Sequence, residues 1–149
     1  MIIILNYLID YLIKSKNEEK LIRILNDITA VMEIDYRTNF DELSNCILAE
    51  KTGHFAIVRI IKAFDLEEND AKMTKIKFDF CEKITKLLLK NVEGFLDTKA
   101  IFIFVKFSEN PKTRSLVEKE LNKHKVVIKE KAKDEKLSGF VHLSKSLFQ

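Results

Sequence analysis

The chain has no tryptophan, one proline, three glycines and two cysteines in 149 residues. Each scarcity removes a class of structure. Turn-rich all-β folds need far more glycine and proline, so the composition favours helices. Walker loops, glycine-rich strand–helix turns and nucleophile elbows have no candidate here. Cys46 and Cys81 sit far apart inside apolar patterns and read as buried thiols of a reducing compartment, rather than a disulfide or a ligand pair. His54, His124 and His142 share no metal-type spacing with them, so no metal site is expected. Asp35, Asp41, Glu42 and the acids of 65–70 have no partner histidine and read as solvated faces or loops. The expectation is a protein that is not an enzyme, with no cofactor and no small-molecule substrate.

A membrane-length apolar run is also missing. The opening "MIIILNYLIDYLI" is 13 residues long, contains Asp10, and lacks the basic flank and small-residue cleavage site of a signal peptide. Ile4, Leu5, Leu8, Ile9, Leu12 and Ile13 instead form a wide helical stripe, read as a core helix at the end of a stack. The expected protein is soluble and intracellular, with no membrane partner.

What is present is a globular composition, 46% apolar and 33% charged, of a length that fits one domain spanning 1–149. Net charge is +3, unevenly placed: residues 112–136 hold nine Lys/Arg against five acids, leaving the remainder at −1.

Stripes and caps lay out the helices. The first covers Ile2 to Lys14, and Asn17 caps a second with Leu21, Ile22, Leu25, Ile28 and Met32 on one face. A short helix capped by Asn39 carries Phe40, Leu43, Ile47 and Leu48, and "GHFAIVRIIKAF" follows Thr52 with Phe55, Val58 and Ile61 at helical spacing. After the acidic "DLEENDAK", a long helix runs from about Thr74 to Lys90 with Ile76, Phe80, Ile84, Leu87 and Leu88 inward. "AIFIFVKF" (100–107) has the composition of a buried strand but no strand to pair with. It lies between a cap at Asp97 or Thr98 and the Asn110–Pro111 start of the next helix, and so reads as a helix buried on nearly all sides. A single helix is expected from Pro111 to Lys133, and "FVHLSKSLF" closes the chain. Mainly buried positions are Phe55, Ile57, Phe80, Ile84, Ile103, Phe104 and Leu121. The stripe aromatic Phe55 reads as core, and His54 as a first-turn residue with an ordinary hydrogen bond.

Two near-fully apolar helices, starting at Thr52 and Thr98, lie 46 residues apart, each followed by a loop and a charged helix, as in two degenerate copies of one repeat. "AEKTGHFAIVRIIKAF" resembles the second helix of a pumilio repeat. With "FDFCEKI", "LDTKAIFIFVKFSEN", "VEKELNKHKVVIKEKAKDEKLSG" and "HLSKSL", the chain resembles the C-terminal (CPL) region of the Puf-A pumilio-like nucleolar proteins, most clearly over 49–148. Family members carry further pumilio repeats ahead of this region, so a part or a reduced form of such a protein is expected. The resemblance implies an all-α fold, an α-solenoid of degenerate pumilio-like (armadillo/HEAT-type) helical repeats. It implies a non-sequence-specific RNA-binding and scaffolding module of large-subunit ribosome biogenesis and rRNA processing, located in the nucleolus and nucleus. Its partners would be pre-rRNA or structured RNA and pre-ribosomal proteins or assembly factors.

The base-reading positions of a pumilio repeat fall on His54, Phe55 and Val58 in the first copy and on Ala100, Ile101 and Phe104 in the second. Valine bonds no base edge, and the second set offers no donor or acceptor, so "AIFIFVKF" reads as a recognition helix turned into core. Candidate phosphate contacts are Lys112, Arg114, Lys119, Lys123, Lys125, Lys129, Lys131 and Lys133, with Arg59 and Lys62 as the other place for an RNA surface. The alternative is a protein–protein interaction module of helical-repeat type without direct RNA binding.

Overall fold

A computed structural model of the chain describes residues 2–67 and 70–149, with the backbone alone for Ile2 and Ile3. Glu68 and Asn69 of the acidic connection thus lie outside the described residues. Those described are all-helical, without a strand: α1 (Ile2–Lys14), α2 (Glu18–Asn39), α3 (Lys51–Asp65), α4 (Ala71–Leu88), α5 (Val92–Leu96), α6 (Ile101–Ser108), α7 (Pro111–Asn122), α8 (Lys125–Lys131) and α9 (Ser138–Phe148). The helices pack as a ladder. One row runs α1, α3, α6, α9 and a second runs α2, α4, α7, with α1–α2, α3–α4 and α6–α7 as rungs and α8 against α9.

Local chemistry sets the boundaries. α1 ends with Lys16 in the left-handed region at φ 54°. The Asn17 amide then donates to the Leu12 carbonyl (3.0 Å) and the Lys16 amide to that of Ile13 (3.2 Å), the 6→1 and 5→2 pair that normally closes on glycine. The Asn17 side chain caps α2 by accepting from Lys20 N. Asp70 caps α4, accepting from Met73 N at 2.9 Å, so that helix starts earlier than the apolar stripe alone indicates. Asn110 caps α7 ahead of Pro111, as expected.

α6 is the most enclosed segment. Ile103, Phe104 and Phe107 are 0% exposed, and Ile101, Val105 and Ser108 are also buried. Its β-branched and aromatic residues cost about 0.5 kcal/mol each in helix propensity. Burial returns roughly 1.5–3 kcal/mol per large apolar side chain, so packing against α3, α7 and α9 decides the conformation. The Thr98 hydroxyl accepts from Ala100 N at the entrance, while Asp97 turns away to Lys131.

Several expectations fail. Phe55 is 62% exposed, and Ile4, Leu8, Ile22 and Phe40 are exposed as well. Each lies off the side of its helix that neighbours cover. The segment 43–49 is not a helix but two 3-10 turns, Leu43–Asn45 and Ile47–Ala49, and Asn39 ends α2 rather than capping anything. Asp35 is no solvated loop acid: its carboxylate accepts from the Ile47 amide (2.7 Å) and from the Asn39 side chain (3.1 Å), tying both turns back to α2. Gly53 then seats α3 on the second turn, where a Cβ would strike the Ile47 carbonyl. The helix expected over 111–133 breaks at Lys123–His124 without glycine or proline, and α8 swings onto α9 to bury Ile128.

Two expectations test this packing. Ile103→Asp places an unpaired charge in the core and abolishes the cooperative melting transition seen by circular dichroism. Lys16→Gly relieves the left-handed residue and raises stability by about 0.5–1 kcal/mol in denaturant unfolding, the strain removed exceeding the entropy glycine adds.

Candidate nucleic-acid interface

The ten candidate cations do not form one surface. Arg114 is a structural clamp: its guanidinium donates to the carbonyls of Ser146 (2.9 Å) and Leu147 (3.0 Å), closing the end of α9, and also reaches Glu118. Lys131 bonds Asp97 at 2.6 Å and lies over the Phe140 ring. Lys123 pairs with Glu120, whose carboxyl the lysine's hydrogen bond lowers below its ordinary range, and Lys133 pairs with Glu130. Lys125 and Lys129 both hover over Phe148. Lys112 and Lys119 make no ion pair among the described residues and share one side of α7 with Lys123.

Arg59 and Lys62 stand elsewhere, on the first row. α3 buries Ile57, Ile60, Ile61 and Phe64. At roughly 100° per residue, Phe55, Arg59 and Lys62 then cluster on the opposite side. A groove of about 330 Å3 between α1 and α3 is lined by Lys14, Phe55, Val58, Arg59 and Lys62. The next, about 290 Å3 between α3 and α6, shares Phe55, Val58 and Lys62 and adds Phe102, Val105 and Lys106. A third, about 410 Å3 between α6 and α9, shares Phe102 and adds Lys99, Lys131 and Lys136. The three run into one another at Phe55 and Phe102. Arg59 lies over the Tyr7 ring (5.7 Å) and 3.7 Å from Asp10, so even the paired cation stays at the rim.

This arrangement shifts the internal correspondence by one residue. At a spacing of 47, Phe55-x-x-Val58-Arg59 aligns with Phe102-x-x-Val105-Lys106. The exposure pattern follows: Phe102 and Lys106 are the two part-exposed residues of α6, on the side matching Phe55 and Arg59. At 46, exposed Phe55 would match buried Ile101. If the pumilio resemblance holds, the second set of positions it implies is then Ile101, Phe102 and Val105, again without a side-chain donor. His54 is engaged through one of its two ring nitrogens. It is buried, its Nδ1 is 2.9 Å from the Glu50 carbonyl, and its ring lies against Phe102 with centroids 5.5 Å apart.

Sequence reasoning missed one cationic feature, a lysine stripe on α4. Lys72, Lys75, Lys83 and Lys86 are exposed along one side, continued by Lys90 in the following turn. The charge tally of the C-terminal stretch drew attention away from it, because α4 also carries Asp79 and Glu82. On a helical wheel Asp79 falls within the stripe and Glu82 at its edge, one turn from Lys86.

No three His, Cys, Asp or Glu among the described residues are placed to hold a metal ion, and no described helix is long and apolar enough to cross a membrane. Comparison with known proteins finds no matching family model, no similar curated protein and no similar solved structure. Both cysteines are free and buried. Burial, with Asp35 and Glu50 nearby, pushes the Cys46 thiol up to about 11, and burial pushes Cys81 up to about 12. The native protein therefore shows no fast-reacting thiol toward an aromatic disulfide at pH 8 and two after denaturation. Because these thiols ionise more readily unfolded, stability declines as pH rises from about 9 through 11 to 12.

Proposed function

We propose that the chain is a sequence-blind RNA-binding and scaffolding module of large-subunit ribosome assembly, acting in the nucleolus as a solenoid of degenerate pumilio-like repeats. One observation carries the reading: a continuous run of grooves across α1, α3, α6 and α9 in which Phe55 and Phe102 stand among Lys14, Arg59, Lys62, Lys99 and Lys106. Rings stack on any base, and cations track any phosphate. Neither needs sequence, and of the positions that read base edges in pumilio repeats only His54, already bonded through Nδ1, carries a polar side-chain atom here. Lys112, Lys119 and Lys123 on α7 supply further phosphate contacts to a structured pre-rRNA. No catalytic step belongs to this reading.

The alternative, a module that docks proteins alone, is favoured by α1, where Ile4, Tyr7, Leu8 and Tyr11 leave an apolar face exposed. In the proposed role this face would serve assembly factors.

Phe55→Ala separates the two. The ring is mostly exposed, so thermal stability stays near the parent's, while affinity for a single-stranded oligonucleotide falls by the roughly 1–3 kcal/mol of a lost stacking contact. Base swaps in that oligonucleotide move affinity by less than about a few-fold, below the 1–3 kcal/mol of a direct base contact. Unchanged affinity in Phe55→Ala, or no RNA binding by the parent at low salt, sinks this reading in favour of the protein-docking one.

A further inference from the structure

We propose that the cleft between α2 and α4 is a second, separate surface that takes the phosphate backbone of an RNA duplex. This rests on the RNA-binding reading and deepens it. Two cavities, about 250 and 390 Å3, line up along the cleft and meet at Asn26 and Lys83, where the lysine donates to the asparagine side chain. Lys75 and Lys83 line the first, and Lys83, Lys86 and Lys90 the second. Lys75 to Lys90 spans about 22 Å at 1.5 Å per residue, long enough to follow several successive phosphates of one strand. Asp79 and Glu33 are the acids lining it.

None of these four lysines is held in a buried ion pair. Lys86 is 3.6 Å from Glu82 with both side chains solvated, and Lys90 lies 5.2 Å above the Tyr36 ring. Lys77, by contrast, points inward to Asp65 and is not part of the stripe.

The occupant follows from what the cleft lacks. It has no arginine fork to grip a base edge, and its lysines are point charges of the kind that track a row of phosphates. It has no free ring for an unpaired base, since Phe80 is buried and Tyr36 is covered by Lys90. A helical peptide would find only Ile22 and Ala30 exposed beside a floor of Leu25, Ile76, Phe80 and Leu87 that is already core. A paired backbone, read by shape and charge, fits all three. The cleft shares no lining residue with the grooves at Phe55 and Phe102, so a duplex and an adjoining unpaired segment can be held together.

The test uses the full chain with a blunt RNA duplex of about 16 base pairs, the length a shape-reading domain covers, and with oligouridine. In the variant, Lys75, Lys83, Lys86 and Lys90 become glutamine. In the control, Lys16, Lys20, Lys51 and Lys145 do, removing equal charge from other exposed positions. Duplex affinity of the variant is expected to fall at least about tenfold at low salt. The slope of log affinity against log salt should flatten by about three units for four lost contacts. Oligouridine affinity should stay within about three-fold, and the control should bind both like the parent. Replacing the same four lysines with arginine retains duplex binding, which excludes a folding defect. Equal losses in variant and control, unchanged duplex affinity in the variant, or capture of polyglutamate in place of duplex would overturn the inference. A parent that binds oligouridine but not duplex defeats this inference alone, whereas a parent that binds neither defeats the RNA-binding reading with it.

Discussion

Enclosure of α6 is the constraint on which the rest of the ladder depends. An eight-residue helix made of isoleucine, phenylalanine and valine is a poor helix in water and an aggregation-prone strand if left exposed. It persists because α3, α7 and α9 cover it on three sides. Its single cation, Lys106, marks where that cover stops. Lys106 reaches Asp65 at the end of α3 (3.4 Å), and Lys77 of α4 meets the same carboxylate. Partly exposed ion pairs of this kind contribute little net stability. This one follows the rotation that burial sets for α6: with Ile103, Phe104 and Phe107 inward, Lys106 and Phe102 share the side left at the rim.

That rotation also explains which parts were legible in sequence. Caps such as Asn17 and Asn110 act through one or two local hydrogen bonds, so residue type and spacing announce them. The buried side of α4 was equally plain, because its stripe is wide and regular. Phe55 was not, since aromatics at helical spacing usually mean core; yet its angle was in the sequence, about 170° from the centre of the stripe formed by Ile57, Ile60, Ile61 and Phe64. The one-residue error in the repeat spacing has the same origin, matching threonines at the entrances instead of exposed faces. The break between α7 and α8 had no signal at all. Val117, Leu121 and Ile128 would fall on one stripe of an unbroken helix, and only contact with α9 turns the last part aside. Likewise the tether from Asp35 to Ile47 joins residues twelve apart through a backbone amide, which carries no side-chain signature.

The two ends of the ladder are finished differently. At the α9 end, polar chemistry closes the structure: Arg114 takes up the last carbonyls, and Lys125 and Lys129 cover the Phe148 ring. At the α1 end, Ile4, Tyr7, Leu8 and Tyr11 remain open, with Arg59 over Tyr7 as partial cover. The inner side of the same helix is fully occupied by Ile9, Leu12 and Ile13, so α1 is apolar on two sides and only one of them is covered within this fold.

Between those ends, the two rows divide the cationic chemistry by kind rather than by amount. On the first row, cations alternate with rings: Arg59 and Lys62 flank Phe55, and Lys99 and Lys106 flank Phe102. On the second row, lysines line a cleft whose aromatic residues are already spent on the core or beneath Lys90. The difference traces back to packing. α6 and α3 are so apolar that some rings fall off the buried side, while the exposed surface of α4 carries mainly lysine, with Asp79 and Glu82 among it. A surface of rings and cations favours bases that are free to stack, and a surface of point charges favours a regular array of phosphates. The sequence economy that builds the core thus also sorts the rings and cations that each row presents.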